Sequence, residues 1–366
     1  DLQRMSASFR LAPIGPEEVR KLFREEAELY SYQHDQAPLK GDRAAYEMLV
    51  QHLVGLSRDD ARRMIRQSIE DGGAITMDDV ARVLRMKHES LGGGTLRMVT
   101  DVESLERVGG QKRIKHWLQL RRDAFLRANG TEALDAPKGM LLLGVQGAGK
   151  SLAARAVAGS WGVPLLRLDF GALYNKYHGE TERNLRTALD TAGAMSPCIL
   201  WLDEIEKGVA AGGGEGDGGV SRRVLATLLT WMSERRERVF LIATANDIGS
   251  LPPELLRKGR FDEIFFVDLP DTAVRAEIFR IHLARRGHDP QRFDLAALAA
   301  ASGRFSGAEI EQSIVSAAYA AHSERSPLAA AHVLAELKST RPLAVVRAEE
   351  VAGLRAWAEG RTVTAD

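Results

Sequence analysis

The stretch GVQGAGKS, residues 144–151, has the spacing G-x4-G-K-S of a backbone loop made to hold phosphate. Gly144, Gly147 and Gly149 let the chain curl so that its N–H groups face phosphate oxygens. The helix that follows adds positive potential at its N-terminus. Lys150 would place a cation between β- and γ-phosphates and Ser151 would ligate Mg²⁺, with Val145, Gln146, Ala148 and Leu152 completing the cradle. A glycine-rich turn with an incidental Lys-Ser is the alternative. The apolar run 140–143 before it and the helical pattern 150–158 after it argue against that. Splitting a phosphoanhydride needs more than a cradle. The segment CILWLDEI ends an apolar run in Asp203-Glu204, placing two acids at a strand's carboxyl end, expected beside the loop of a neighbouring strand. There Asp203 would join the Mg²⁺ shell and Glu204 would polarise the attacking water. VFLIATAN ends in Asn246, a neutral amide able to orient that water. Downstream, Arg257 and Arg260 flank Lys258-Gly259 and are candidates to reach a neighbour's γ-phosphate; arginines in that role are worth about 10³–10⁵ in rate.

These residues need a sheet to carry them. GMLLL, VPLLRLD, CILWLDEI, VFLIATAN and EIFFVDLP are apolar runs too short for helices, and each alternates with helical pattern. That order predicts an α/β domain with a parallel sheet covered on both faces. After Asp271 only helical pattern remains, and before it residues 43–104 read as mainly helical. There Ser57 with Asp60, and Thr76 with Asp79, are spaced as capping boxes ahead of apolar stripes. The expected organisation is an irregular arm over 1–42 with a short helix near Glu17–Leu29, then a helical domain over 43–104. A nucleotide domain over 105–270, a helical lid over 271–345 and a helical tail over 346–366 follow. The glycine-rich run 208–221 cannot pack a core and reads as a mobile loop.

Totals narrow the partners. Fifty Lys and Arg balance fifty Asp and Glu, so no global field favours nucleic acid or an anionic membrane. No run approaches the roughly 20 apolar residues of a membrane helix. The single cysteine, Cys198, leaves no internal disulfide and fits a reducing, cytoplasmic setting. The histidines show no zinc spacing. The sequence opens at Asp1 with nothing that reads as a signal peptide.

Taken in order, the phosphate loop, the Asp-Glu strand, the Asn-ended strand and the segment RKGRFDE resemble the AAA+ ATPases over residues 108–338, and within them the narrow AAA subgroup of the FtsH, katanin and Cdc48 kind. GVQGAGKS, LWLDEIEK, LLRKGRFDEIFF and the tail LRAWAEGR look most like the stand-alone AAA proteins of cyanobacteria and algal plastids. The resemblance implies ATP and Mg²⁺ as ligands and a ring of subunits, commonly six, with Arg257 and Arg260 acting across the seam. ERVGG is similar to the family's adenine-pocket lead-in and nominates Val108 and Gly109. EIFRIHL nominates His282, and FSGAEI nominates Gly307 and Ala308. The lid lacks the arginine that other AAA+ branches carry at that helix.

NKYHGETERN, residues 175–184, is similar to the loop that faces the ring's channel in this family. Tyr177 would be the aromatic that grips extended polypeptide, with Lys176 and His178 beside it. The implied activity is ATP-driven remodelling, unfolding or threading of a polypeptide, with the protein substrate or adaptor unspecified. Two other classes stay open on sequence: a nucleic-acid remodeller, disfavoured by zero net charge and the aromatic loop, and an ATP-dependent assembly switch that threads nothing.

Overall fold

The computed structural model describes residues 14–35, 38–70, 73–92, 94–126, 134–173, 180–209 and 219–366. The chain divides into two compact units, residues 1–94 with 190–197, and residues 95–189 with 198–366.

The first unit is a bundle of helices Pro16–Gln33, Arg43–Leu53, Arg58–Glu70 and Met77–Ser90. Val19, Leu22, Leu49, Leu53, Met64, Ile65 and Val83 form its dry interior. Helix starts follow the expected chemistry. The Ser57 hydroxyl accepts from the Asp60 N–H at 3.1 Å, and the Asp79 carboxylate accepts from the Thr76 N–H at 2.7 Å. The two chain segments entering and leaving the middle helices pair as short parallel strands β1 (Lys40–Gly41) and β2 (Ala74–Ile75). Helix Pro16–Gln33 is longer than the segment expected from sequence, and it packs into the bundle rather than forming an arm. Its polar positions hid this. Glu26 is buried because Arg62 and Arg66 of helix Arg58–Glu70 neutralise it.

The second unit is an α/β sandwich extended by a helical lid. Its strands are β3 (Leu96–Val99), β4 (Gly139–Gly144), β5 (Leu165–Leu168), β6 (Cys198–Leu202), β7 (Val239–Ala245), β8 (Glu263–Val267) and β9 (Val363–Thr364). They lie in the order β3-β5-β6-β7-β4-β8-β9, all neighbours parallel except the antiparallel edge pair β3–β5. The five apolar runs are the five central strands. Every residue of β4, β6 and β7 is buried, as a doubly covered parallel sheet requires. On one face Met140, Leu142, Phe240, Ile242 and Phe265 pack under Trp161 of helix Lys150–Trp161 and Phe125 of helix Lys112–Leu126. Their alternates Leu141, Leu143 and Leu241 are equally buried, which demands cover on the other face. The lid consists of helices Thr272–Arg285, Leu295–Ala301, Gly307–Ser323 and Ala330–Ser339 around Phe279, Leu283, Leu298, Ile310 and Ile314. Helix Ala348–Ala358 then leads the chain back to the sheet, where β9 pairs with β8 and Ala365 enters the sandwich core. Among the described residues no helix is long and apolar enough to cross a membrane.

Candidate active site

The phosphate loop leaves β4 at a position only glycine fits. Gly144 has φ of 144°, and a Cβ there would stand 2.0 Å from the Val267 carbonyl oxygen on β8. The loop then turns through Gly147 and Gly149, both at positive φ, and Gly149 caps helix Lys150–Trp161. Val145 anchors the loop from beneath, against Ala344 and Val351, whereas Gln146 is exposed at its tip. Lys150 is buried and donates to the carbonyls of Gly144 at 2.7 Å and Val145 at 2.8 Å. Burial lowers its pKa to about 8, against the raising pull of Glu206, Asp203 and Glu204.

The pattern predicts the acid strand as the loop strand's neighbour; in the structure it is one strand removed. β7 lies between β6 and β4, and its Thr244 bridges the gap. The Thr244 hydroxyl donates to Asp203 Oδ1 at 2.8 Å, and the Ser151 hydroxyl reaches the same oxygen at 3.3 Å. Arg167 of β5 pairs with Asp203 Oδ2 at 2.8 Å. A hydroxyl and a carboxylate side by side are hard oxygen donors that suit Mg²⁺. Among the described residues no group of three or more His, Cys, Asp or Glu side chains could hold a metal alone, so Ser151 and Asp203 would supply only part of a Mg²⁺ shell, the rest falling to water or substrate oxygens.

Glu204 sits at φ of 50°, its N–H donating to Thr244 Oγ1 at 3.0 Å. Asn246 Nδ2 donates to Glu204 Oε1 at 3.0 Å, and Lys207 Nζ sits 2.5 Å from Oε2. Asn246 is itself fixed, since its N–H donates to Glu206 Oε1 at 2.9 Å. Burial raises the Glu206 pKa, and among the described residues its other oxygen has no hydrogen-bond partner. Thr244 and Glu206 were not singled out from sequence. Each stands two residues from a residue that was: Thr244 lies near the end of β7 with Asn246 just beyond that end, and Glu206 follows Glu204.

A cleft of about 300 Å³ runs from this network to the lid. Its lining brings together Val108, Gly109, Gly147, Ala148, Gly149, Lys150, Ser151, Leu152, Asn246, His282, Gly307 and Ala308, all nominated from sequence. The lid touches the loop directly: the Ala308 N–H donates to the Gly147 carbonyl at 3.2 Å. Burial lowers the His282 pKa, with Glu311 opposing, which favours the neutral imidazole. Gln111, Arg155, Ile278 and Arg285 also line the cleft and carried no motif signal. Arg285 is the lid's cation there, paired with the buried Glu103 at 3.1 Å.

Arg257 and Arg260 do not line this chain's own cleft. Arg257 is exposed, whereas Arg260 donates to the Leu229 carbonyl and the Ser233 hydroxyl of helix Val220–Glu234. Lys176, Tyr177 and His178 lie outside the described residues, as do residues 210–218 of the glycine-rich run.

Comparison with known proteins gives the family. The family model described as ATPase family associated with various cellular activities (AAA) matches residues 140–269. That of the SpoVK-like AAA ATPase second domain matches residues 17–94. The uncharacterized AAA domain-containing protein ycf46 of Pyropia yezoensis is 41% identical over 310 residues, 84% of this chain and 63% of that protein. The protein of the same description from Trieres chinensis is 40% identical over 319 residues, 87% of this chain and 64% of its own length. The chain thus spans a little under two thirds of the length of these relatives.

Proposed function

The chain carries an ATPase domain of the AAA family, and we propose that it hydrolyses ATP in the cleft between phosphate loop and lid, as one subunit of a ring that remodels a polypeptide. Backbone N–H groups of the loop hold the triphosphate. Lys150 exchanges the carbonyls of Gly144 and Val145 for β- and γ-phosphate oxygens. Ser151 and Asp203 would hold Mg²⁺, which would supply charge neutralisation to the phosphates. Glu204 takes a proton from water as the water oxygen bonds to the γ-phosphorus. The bond to the β–γ bridging oxygen breaks, leaving ADP and phosphate. Asn246 keeps the Glu204 carboxylate aimed, and Glu206 keeps Asn246 in place.

The observation that carries this reading is the hydrogen-bonded chain Ser151–Asp203–Thr244 with Glu204–Asn246 at one end of the sheet, next to the phosphate loop. The ring, the action of Arg257 and Arg260 on a neighbour's nucleotide, and the polypeptide grip by Lys176, Tyr177 and His178 rest on family resemblance. Exposure of Arg257 supports the second of these for Arg257 alone, because a residue that works across a seam must be free on its own subunit; Arg260 would first have to leave the Leu229 carbonyl and the Ser233 hydroxyl. Glu204→Gln tests the chemistry. It should bind ATP with little change and turn over about 10²-fold or more slowly in a phosphate-release assay. Near-normal turnover would remove Glu204 from the role.

A further inference from the structure

Residues 108–112 form the turn at the nucleoside end of the cleft, and one side chain on it faces an unexpected way. Gln111 has φ of 54°, in the left-handed region where a glutamine is strained. Three anchors hold that posture. The Gly110 N–H donates to Glu277 Oε2 of the lid at 3.1 Å, the Lys112 N–H to Asp366 Oδ1 at 3.2 Å, and the Arg113 N–H to the Ala365 carbonyl at 3.0 Å. The Gln111 carbonyl meanwhile accepts from the Lys115 N–H at 2.9 Å, starting the next helix.

The strained backbone carries the side chain inward. Gln111 is 5% exposed and lines the cleft, and its amide nitrogen stands 3.1 Å from where a Cβ on Gly149 would be. Among the described residues no protein group hydrogen-bonds this carboxamide. The amide atoms are not sealed off as the unpaired Glu206 oxygen is, so they meet solvent through the cleft, the side from which a ligand could replace that water. The open side here is the cleft. The nearby backbone belongs to the phosphate loop, one residue before Lys150, rather than to the base-facing lid.

We propose that Gln111 is a nucleotide ligand: its carboxamide donates to the β-phosphate where the loop turns at Gly149, a neutral donor reaching from the nucleoside-end turn to the phosphates. This rests on the cleft being the ATP site. A leucine would fill the same space without the donor. An asparagine would keep the backbone posture, which it tolerates well, while drawing the amide back by one carbon.

Calorimetric titration of the full chain with ADP and AMP tests this, using Gln111→Leu and Gln111→Asn beside Lys150→Ala. Both Gln111 variants should lose about 5–30-fold in ADP affinity, the value of one to two hydrogen bonds, while AMP affinity stays within about twofold. Their nucleotide-free melting temperatures should match the parent protein. Equal weakening of ADP and AMP, or a lowered nucleotide-free melting temperature in Gln111→Asn, would make Gln111 a structural brace and overturn the proposal. Unchanged ADP affinity in both Gln111 variants, with Lys150→Ala still losing it, would sink Gln111 alone. A parent protein that binds neither nucleotide would sink the site itself.

Discussion

The two ends of the cleft are built on different principles. At the phosphate end, polar groups from β4, β6 and β7 are locked together by hydrogen bonds on a sheet whose strands are fully buried. At the nucleoside end the walls come from elements far apart in the chain. Gly109 lies against Ile278 of the lid, Ala308 bonds to Gly147, and the turn between them is anchored by Glu277 and by Asp366. One end is a rigid edge that positions chemistry. The other is a seam between large domain and lid, so a ligand that fills it also sets how the two meet.

That contrast makes graded predictions. Removing the phosphate end's cation should do most damage: Lys150→Ala should lower ATP affinity by about 10²-fold or more in equilibrium binding, since several charge-assisted bonds vanish together. The next effect is set by pH. Burial holds the free-protein Lys150 pKa at about 8, below the usual lysine value, and phosphate oxygens favour the charged form and raise it in the complex. Below pH 8 free and bound forms are both protonated, and this group leaves affinity flat. Above pH 8 the free protein has lost a proton that the complex retains. ATP affinity should then fall with slope approaching about tenfold per pH unit. A flat profile from pH 7 to 9.5 would show that Lys150 does not meet phosphate. The smallest effect belongs to the seam. A Cβ added at Gly109 would stand 2.7 Å from Ile278 Cγ1, so Gly109→Ala must push the lid helix. About fivefold in ADP affinity should be lost, with faster hydrogen exchange in helix Thr272–Arg285. A loss as large as that of Lys150→Ala would erase the distinction between the two ends.

Much of the phosphate end was legible because its residues sit in local patterns. GVQGAGKS needs its strand and helix within a few residues, and the five apolar runs stood out because doubly covered strands have no polar face. What escaped depended on distant neighbours. β3 carries a charge in a four-residue run, and β9 is two residues long, so neither has a local signature. The order of β6 and β7 is a tertiary fact, which is why Thr244 went unnoticed as the bridge between Asp203 and the loop. Gln111 follows two glycines and reads as turn filler; only the backbone posture and burial reveal it. Helix Pro16–Gln33 was underestimated for a related reason, because Glu26 looks exposed until Arg62 and Arg66 arrive from elsewhere in the chain.

The return of the chain from lid to sheet has a mechanical consequence. The polypeptide departs after β8 and rejoins that same strand as β9, with Arg355 clamping Asp268 in a forked ion pair beside both crossings. A body fastened at two neighbouring points turns most easily about the line through them, like a visor on its pivots, once its further bonds to the large domain (Ala308 to Gly147, Glu277 to Gly110 and Arg285 to Glu103) let go. Sliding or swinging loose would tear strand pairing.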